Sequence, residues 1–209
     1  MLELTDPTNT YDRRNDSGHM SVPDQSNRTR GIVGGAAAGA VAYVLGYLVV
    51  YVTQGDRIAE GLSGVNFFTE LFGGDPISTW QAAGWLFYNA HFVDTMSPGV
   101  FGGAQSTNLI MEADGGSLLF ILPPLLLLVA GVVAGRAAGA SDPAEGAQAG
   151  AFVLTGYLPL AVIGAFLFRY TVGDGSVAPD LITAVLLAGA VYPAVFGAIG
   201  GAASSLLSD

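Results

Sequence analysis

Cysteine and lysine are both missing from this chain. Without cysteine there is no disulfide, no thiolate nucleophile and no Cys-based metal site. Without lysine, all seven basic residues are arginines, set against seventeen acids for a net charge of −10. That balance argues against nucleic acid as a partner, because neutralising phosphates takes a basic surface. Charge of either sign is scarce: Asp, Glu, Lys and Arg make up 11% of residues, where soluble domains carry about 25%. Histidine occurs only at positions 19 and 91. No H-E-x-x-H or paired-His spacing is present, so neither a metal nor a cofactor is indicated. A G-x-S-x-G elbow, a P-loop and a dinucleotide fingerprint are also lacking, so no enzymatic activity is expected.

What the chain has instead is apolar length. Hydrophobic residues make up 51% of it, and the mean hydropathy is +0.52. Four stretches carry no Asp, Glu, Lys or Arg: Gly31 to Gly55, Gly115 to Gly135, Gly146 to Phe168 and Leu181 to Ser208. A hydrocarbon core of about 30 Å takes about 20 helical residues to cross, and each stretch is long enough. They are apolar on all sides, whereas a helix on a soluble core keeps a polar stripe. The expected fold is an all-α integral membrane bundle of four transmembrane helices at about 31–53, 117–138, 147–171 and 181–207. Residues 1–30, rich in Pro, Asn, Ser, Asp and Arg, read as a disordered cytoplasmic tail, and 31–209 as the transmembrane domain. Arg13-Arg14 lies far from the first apolar run, which is too long for a signal h-region and reads as a permanent span.

Residues 54–116 carry seven acids against Arg57 alone and read as an outside segment holding one or two amphipathic helices. Within them Ser78 to Val93, STWQAAGWLFYNAHFV, is aromatic-rich but polar. It fits an interfacial helix, since Trp and Tyr favour headgroup level; as the alternative it is a fifth, polar-lined span. Arginine counts do not choose. With four spans Arg13, Arg14, Arg28, Arg30 and Arg136 lie inside against Arg57 and Arg169; with five, Arg136 and Arg169 exchange sides. Either way the N-terminus is cytoplasmic in a cell-membrane protein. An internal similarity favours four. AGAVAYVLGYL from Ala38 aligns with AGAFVLTGYL from Ala149, and VAGVVAGRAAGAS from Val129 with VFGAIGGAASS from Val195. The second pairing equates Gly131 with Gly197 and Gly135 with Gly201. Two hairpins in one orientation require spans one and three to run the same way.

Gly31, Gly35 and Gly39, Gly131 and Gly135, and Gly197 and Gly201 recur at four-residue spacing, which lines small residues along one helix face for close packing within or between chains. Pro123, Pro124, Pro159 and Pro193 are expected to kink their helices. Tyr51 fits an interfacial aromatic, while the deeper Tyr43 and Tyr47 need partners inside the bundle. Arg169, near the end of span three, is placed to snorkel. Glu112 and Asp114 in EADGGS lack the EF-hand pattern and read as a solvated loop.

The residues with chemistry cluster at Tyr88, Asn89, His91 and Asp94. On a helix His91 and Asp94 share a face, and a carboxylate beside an imidazole suits a proton carrier. The preferred reading is the plainer one, a polar cap with His91 facing headgroups or packing on Trp85. The four spans hold no mid-membrane charge of the kind that ion-coupled carriers use. The Arg-only acidic composition, the four Gly/Ala-rich spans and the Trp80–Val93 string WQAAGWLFYNAHFV resemble small multi-pass membrane proteins of unknown function in halophilic archaea, some loosely labelled transporters. The resemblance covers roughly 31–207. The expected function is a non-enzymatic membrane scaffold or partner-binding subunit, embedded in the lipid bilayer and assembling as a homo- or hetero-oligomer through its small-residue faces. The alternatives are a small-solute or ion transporter or channel, then an intramembrane enzyme.

Overall fold

A computed structural model describes residues 25–99, 102–112 and 116–207. The expected tail lies outside the described residues up to position 24, and so does Asp114. From Gln25 the chain is already helical, as α1 (Gln25–Leu71).

Four helical stretches are long and apolar enough to cross a membrane: Thr29–Leu71, Ser117–Ala138, Pro143–Leu167 and Leu181–Leu206. Between 28% and 33% of each apolar window is buried within the chain. The rest leaves residues such as Val33, Val41, Leu125 and Ile163 more than half exposed, a surface that suits lipid and not water. The chain is consistent with a multi-pass membrane protein on these grounds. Spans one and two are antiparallel, with Gly31 and Gly34 beside Ala138 and Ala137 and Gly46 beside Leu126. Spans one and three run together, as do spans two and four. Both described ends of the chain therefore lie at one end of the bundle; the other end, formed by 71–116 and 168–181, carries a cap.

Backbone contact holds the bundle. A methyl group on Gly39 would overlap the Val153 carbonyl, and one on Gly156 the Ala36 carbonyl. Span four lies between two neighbours: Gly197 and Gly201 touch Gly131 and Gly135 of span two and Gly150 and Gly146 of span three. The Gly131–Gly197 and Gly135–Gly201 meetings join the positions that the internal similarity equates. Gly31 and Gly35 pack on Ala138 and Phe152. All seven glycines singled out from the sequence thus meet helices of this same chain, leaving those faces filled from within.

Several boundaries differ from expectation. The helix that carries span one runs on to Leu71, past the apolar stretch, and α1 as a whole has 47 residues, about 70 Å at 1.5 Å per residue and more than a bilayer takes. The charges from Asp56 onward end the apolar run but not the helix, which stops only at Gly73 with φ 77°, a left-handed position that glycine adopts freely. Span three starts earlier, at Pro143, as α5 (Pro143–Ala151) and α6 (Val153–Leu167). Asp142 caps it, accepting from the Ala144 and Glu145 amides at 2.8 and 3.0 Å. Arg169 consequently lies beyond the span, its guanidinium 6.0 Å from the Phe166 ring centre.

Three of the four prolines expected to kink their helices stand at the start of an α-helical stretch. Pro123 and Pro124 occupy the first turn of α4 (Leu122–Ala138), where a missing amide costs little, after a 3-10 turn at Ser117–Ile121. Pro193 begins α8 (Tyr192–Leu206), behind α7 (Leu181–Thr183) and a π-helical run at Ala184–Val191. Pro159 sits inside α6, and the break in span three comes earlier, at Phe152.

The all-α expectation needs one correction. The cap holds a four-stranded antiparallel sheet in the order β2-β1-β4-β3, built from β1 (Thr95–Pro98), β2 (Ala104–Thr107), β3 (Tyr170–Val172) and β4 (Gly175–Pro179). Thr95 pairs with Thr107 on one side and Pro179 on the other. The sheet fastens the first connection to the third. Two further helices, α2 (Thr79–Asn89) and α3 (Leu109–Glu112), complete the cap.

Candidate functional site

Helix α2 has 11 residues, too few to cross a hydrocarbon core. It is also largely buried against the rest of the chain. Its Ala-Ala-Gly centre lets it approach span three: the Phe168 ring fills the place of a Gly84 side chain. Trp85 Nε1 donates to the Phe168 carbonyl at 2.6 Å and Gln81 Nε2 to that of Arg169 at 3.0 Å. Tyr47 donates to the Trp80 carbonyl at 3.2 Å, the partner that this deep tyrosine required. Asn89 then reverses the chain. Its Nδ2 donates to the Val93 carbonyl at 2.7 Å and to Thr95 Oγ1 at 3.2 Å, and its Oδ1 accepts from the Leu109 amide at 3.0 Å. Phe92, with φ 58°, makes the turn and is the one non-glycine residue of positive φ among those described.

This reversal drives His91 inward to 0% exposure. Its Nδ1 lies 2.8 Å from the Phe87 carbonyl and its Nε2 2.7 Å from Tyr157 Oη in span three. A carbonyl can only accept, so Nδ1 carries the proton and Nε2 accepts from the Tyr157 hydroxyl. The Tyr192 ring of span four lies 5.2 Å away, just past the π-helical run. One turn along α2, Tyr88 donates to the Ala161 carbonyl, and Tyr43 Oη lies 3.1 Å from Tyr88 Oη. Each hydroxyl has one proton, so Tyr43 donates and Tyr88 accepts. Burial pushes the Tyr88 hydroxyl well above its usual pKa and keeps it a donor.

The His91–Asp94 pair does not form. The helix ends before Asp94, whose carboxylate accepts from Ser106 Oγ at 2.6 Å and whose backbone carbonyl accepts from the Asp180 amide at 2.9 Å. Of the four residues read as a site, Tyr88 and His91 point into the bundle, Asn89 shapes the turn and Asp94 joins the sheet. Nor does His91 face outward or rest on Trp85. The sequence reading missed Tyr157; the signal available was that a tyrosine deep in an apolar run needs a buried partner. Among the described residues every buried side-chain N and O is hydrogen-bonded, and no group of three or more His, Asp or Glu side chains converges. The cluster is thus a satisfied lock between α2 and spans one and three.

Its pH response follows. Burial pulls the His91 pKa down to about 4 from 6.5. Above pH 6.5 the imidazole is neutral both folded and unfolded and stability is unaffected. As pH falls toward 4 the unfolded chain takes up the proton and the folded one does not, removing up to about 1.4 kcal/mol per pH unit. The carboxylates titrate in the same range, so the test is a difference. The melting-temperature gap between the native chain and His91→Gln in detergent should narrow from pH 7 to pH 4. A gap independent of pH would refute a buried neutral imidazole.

A second feature is a cavity of about 500 Å³ on the other side of α2. It lies between the α1 extension and the start of span two, roofed by β1 and β2. Among the described residues Arg57 is the one charged side chain lining it, with Gln54, Ser97 and Thr107 among the polar ones.

No curated protein and no solved structure matches the chain. A sequence profile does, over residues 15–208; with nearly the whole length covered, including all four spans and the cap, the chain belongs to DUF7978, a family of unknown function.

Proposed function

We propose that the protein is a non-enzymatic membrane scaffold or partner-binding subunit whose working surface is the capped end. The observation that carries this reading is the α1 extension. One uninterrupted helix leads from the glycine-packed bundle into the cap, where Asn66 brackets Ile77, donating to its carbonyl at 3.0 Å and accepting from its amide at 2.8 Å. Beyond that clasp Phe67, Phe68, Leu71 and Phe72 are 60 to 85% exposed, and a clustered apolar surface of this kind marks an interaction site. Assembly with a partner uses this surface, because the small-residue faces are filled within the chain. The four arginines of the tail and Arg136 support a cytoplasmic N-terminus, which puts the cap outside.

Cysteine accessibility tests the placement, the native chain having none. In intact cells Ser106→Cys should react with a membrane-impermeant thiol reagent and Ser141→Cys should not; the reverse pattern inverts the topology. A photo-crosslinking residue at Phe72 should join one defined partner in native membranes, and Phe68→Ser with Phe72→Ser should release it while leaving the melting temperature unchanged.

A transporter is the second reading. It is favoured by the π-helical run beside Tyr192 and His91, since such windings concentrate at functional sites. Proteoliposomes decide between the two. Proton flux in the native chain that His91→Gln abolishes would replace the scaffold reading; flux equal to that of empty liposomes supports it.

A further inference from the structure

The cavity beside α2 has the composition of a site for an amphiphile. Its volume of about 500 Å³ falls among small-molecule sites, which run from about 300 to 1,000 Å³. Leu62, Trp85, Ile110 and Leu119 give it apolar walls, and Arg57, Gln54, Ser97 and Thr107 add a small number of polar groups. Among the described residues Arg57 has neither an ion pair nor a hydrogen bond, although Asp56 and Glu60 lie close by in sequence. An unpaired guanidinium against an apolar chamber, in a chain of net charge −10, is complementary to an anionic head on an apolar body. The position agrees. Arg57 comes two residues after the charge-free run of span one ends at Gly55, where a helix leaving hydrocarbon meets headgroups. Arg57 and Gly61, both in the lining, are themselves exposed, so the cavity opens at the surface of the α1 extension, where an acyl chain can enter.

We infer that this cavity binds a bilayer lipid with an anionic phosphate headgroup, one acyl chain lying against Trp85 and the phosphate held by Arg57. The lipid ties the α1 extension to α2 and to the start of span two, so the cap is set by the membrane around it.

Trp85 reports occupancy. The full chain carrying Trp80→Phe, so that Trp85 is its only tryptophan, is reconstituted in nanodiscs of plain phosphatidylcholine with increasing fractions of a lipid brominated on its acyl chains. Brominated phosphatidic acid should quench Trp85 at about tenfold lower mole fraction than brominated phosphatidylcholine, the effect of one charge-assisted contact. Arg57→Gln should remove that preference. Gly61→Phe should remove the quenching altogether, because Gly61 lines the cavity and has nothing within 4 Å of the position of an added Cβ. Each variant is first shown to melt like its parent, with Gly61→Leu in reserve. Equal quenching by the two lipids, or quenching by phosphatidic acid that survives both Arg57→Gln and Gly61→Phe, means ordinary contact with surrounding lipid and overturns the site.

Discussion

His91→Leu should destabilise the protein by about 3 kcal/mol in detergent, a drop of about 6–12 °C in melting temperature for a chain of this size. Leucine fills much of the imidazole volume, so the loss is mainly polar. The Tyr157 hydroxyl, itself in a side chain 1% exposed, loses the acceptor 2.7 Å away and is left buried without a partner, at about 1–3 kcal/mol. The Nδ1 bond that holds the turn after α2 goes as well. Tyr157→Phe should cost less, about 1–2 kcal/mol, because His91 keeps its bond to Phe87. The double variant should cost at least about 1 kcal/mol less than the sum of the two, since neither group is then stranded. Hydrogen bonds between membrane helices average only about 0.6 kcal/mol when the groups find other partners. Additive losses would therefore mean that Tyr157 re-pairs elsewhere and that the lock is not rigid. Asp94→Asn is the control: its partners lie in the sheet, and the loss should stay under about 1 kcal/mol.

Glycine-to-alanine changes should split by sign along this one chain. At Gly131, Gly150 and Gly156 the added methyl meets the carbonyls of Gly197, Gly197 and Ala36. Two backbones must separate to admit it, costing about 1–3 kcal/mol, and Gly131→Leu should not yield folded protein. At Gly61 and Gly64 an added Cβ has nothing within 4 Å. Both lie in the interior of α1, where alanine is favoured over glycine by up to about 1 kcal/mol, so these variants should melt no lower than the native chain. Melting curves of all five single alanine variants in one detergent decide the matter. A loss at Gly61 equal to that at Gly131 would contradict both helix propensity and the open space beside Gly61, and would sink close packing as the cause of the split.

The internal similarity has a structural counterpart in that seam. Gly131 and Gly197 meet at matching heights on two parallel helices, and so do Gly135 and Gly201, an arrangement that places equivalent residues against each other. The same glycines supply span four with its second neighbour, span three. Faces that the sequence left open to packing within or between chains hold four helices of one chain together. What remains outside the bundle for partners is the α1 extension and the lipid-facing rows.

Patterns that depend on neighbours in sequence were legible. Four charge-free runs marked the four apolar helices, because a missing charge over about 20 residues follows directly from the cost of placing one in hydrocarbon. The small-residue faces were legible for the same kind of reason, although not which helix each would meet. So was the need of Tyr43 and Tyr47 for hydrogen-bond partners within the chain. The strands were not. TMSP and AQST carry no alternating apolar pattern; they pair with each other, and TMSP also pairs with Ala178 and Pro179 in the connection between spans three and four, which supplies what their composition lacks. The length of α1 was not legible either, because a change from apolar to charged residues marks the edge of the lipid, whereas a helix continues until something breaks its hydrogen bonds, here at Gly73.

His91 shows most plainly where sequence stops and folding begins. By itself the sequence determined that this chain has four lipid-suited helices, no charge within the four apolar runs, and one polar, aromatic segment holding the only histidine outside the tail. Helical spacing then offered Asp94 as a neighbour for His91, beside the preferred reading of a polar cap. The tertiary structure instead ended the helix at Asn89, turned the chain at Phe92, and sent the imidazole to Tyr157 and the carboxylate to Ser106. A side chain's partners are fixed by which backbones pack together, and that was decided by glycines and carbonyls far away in the sequence.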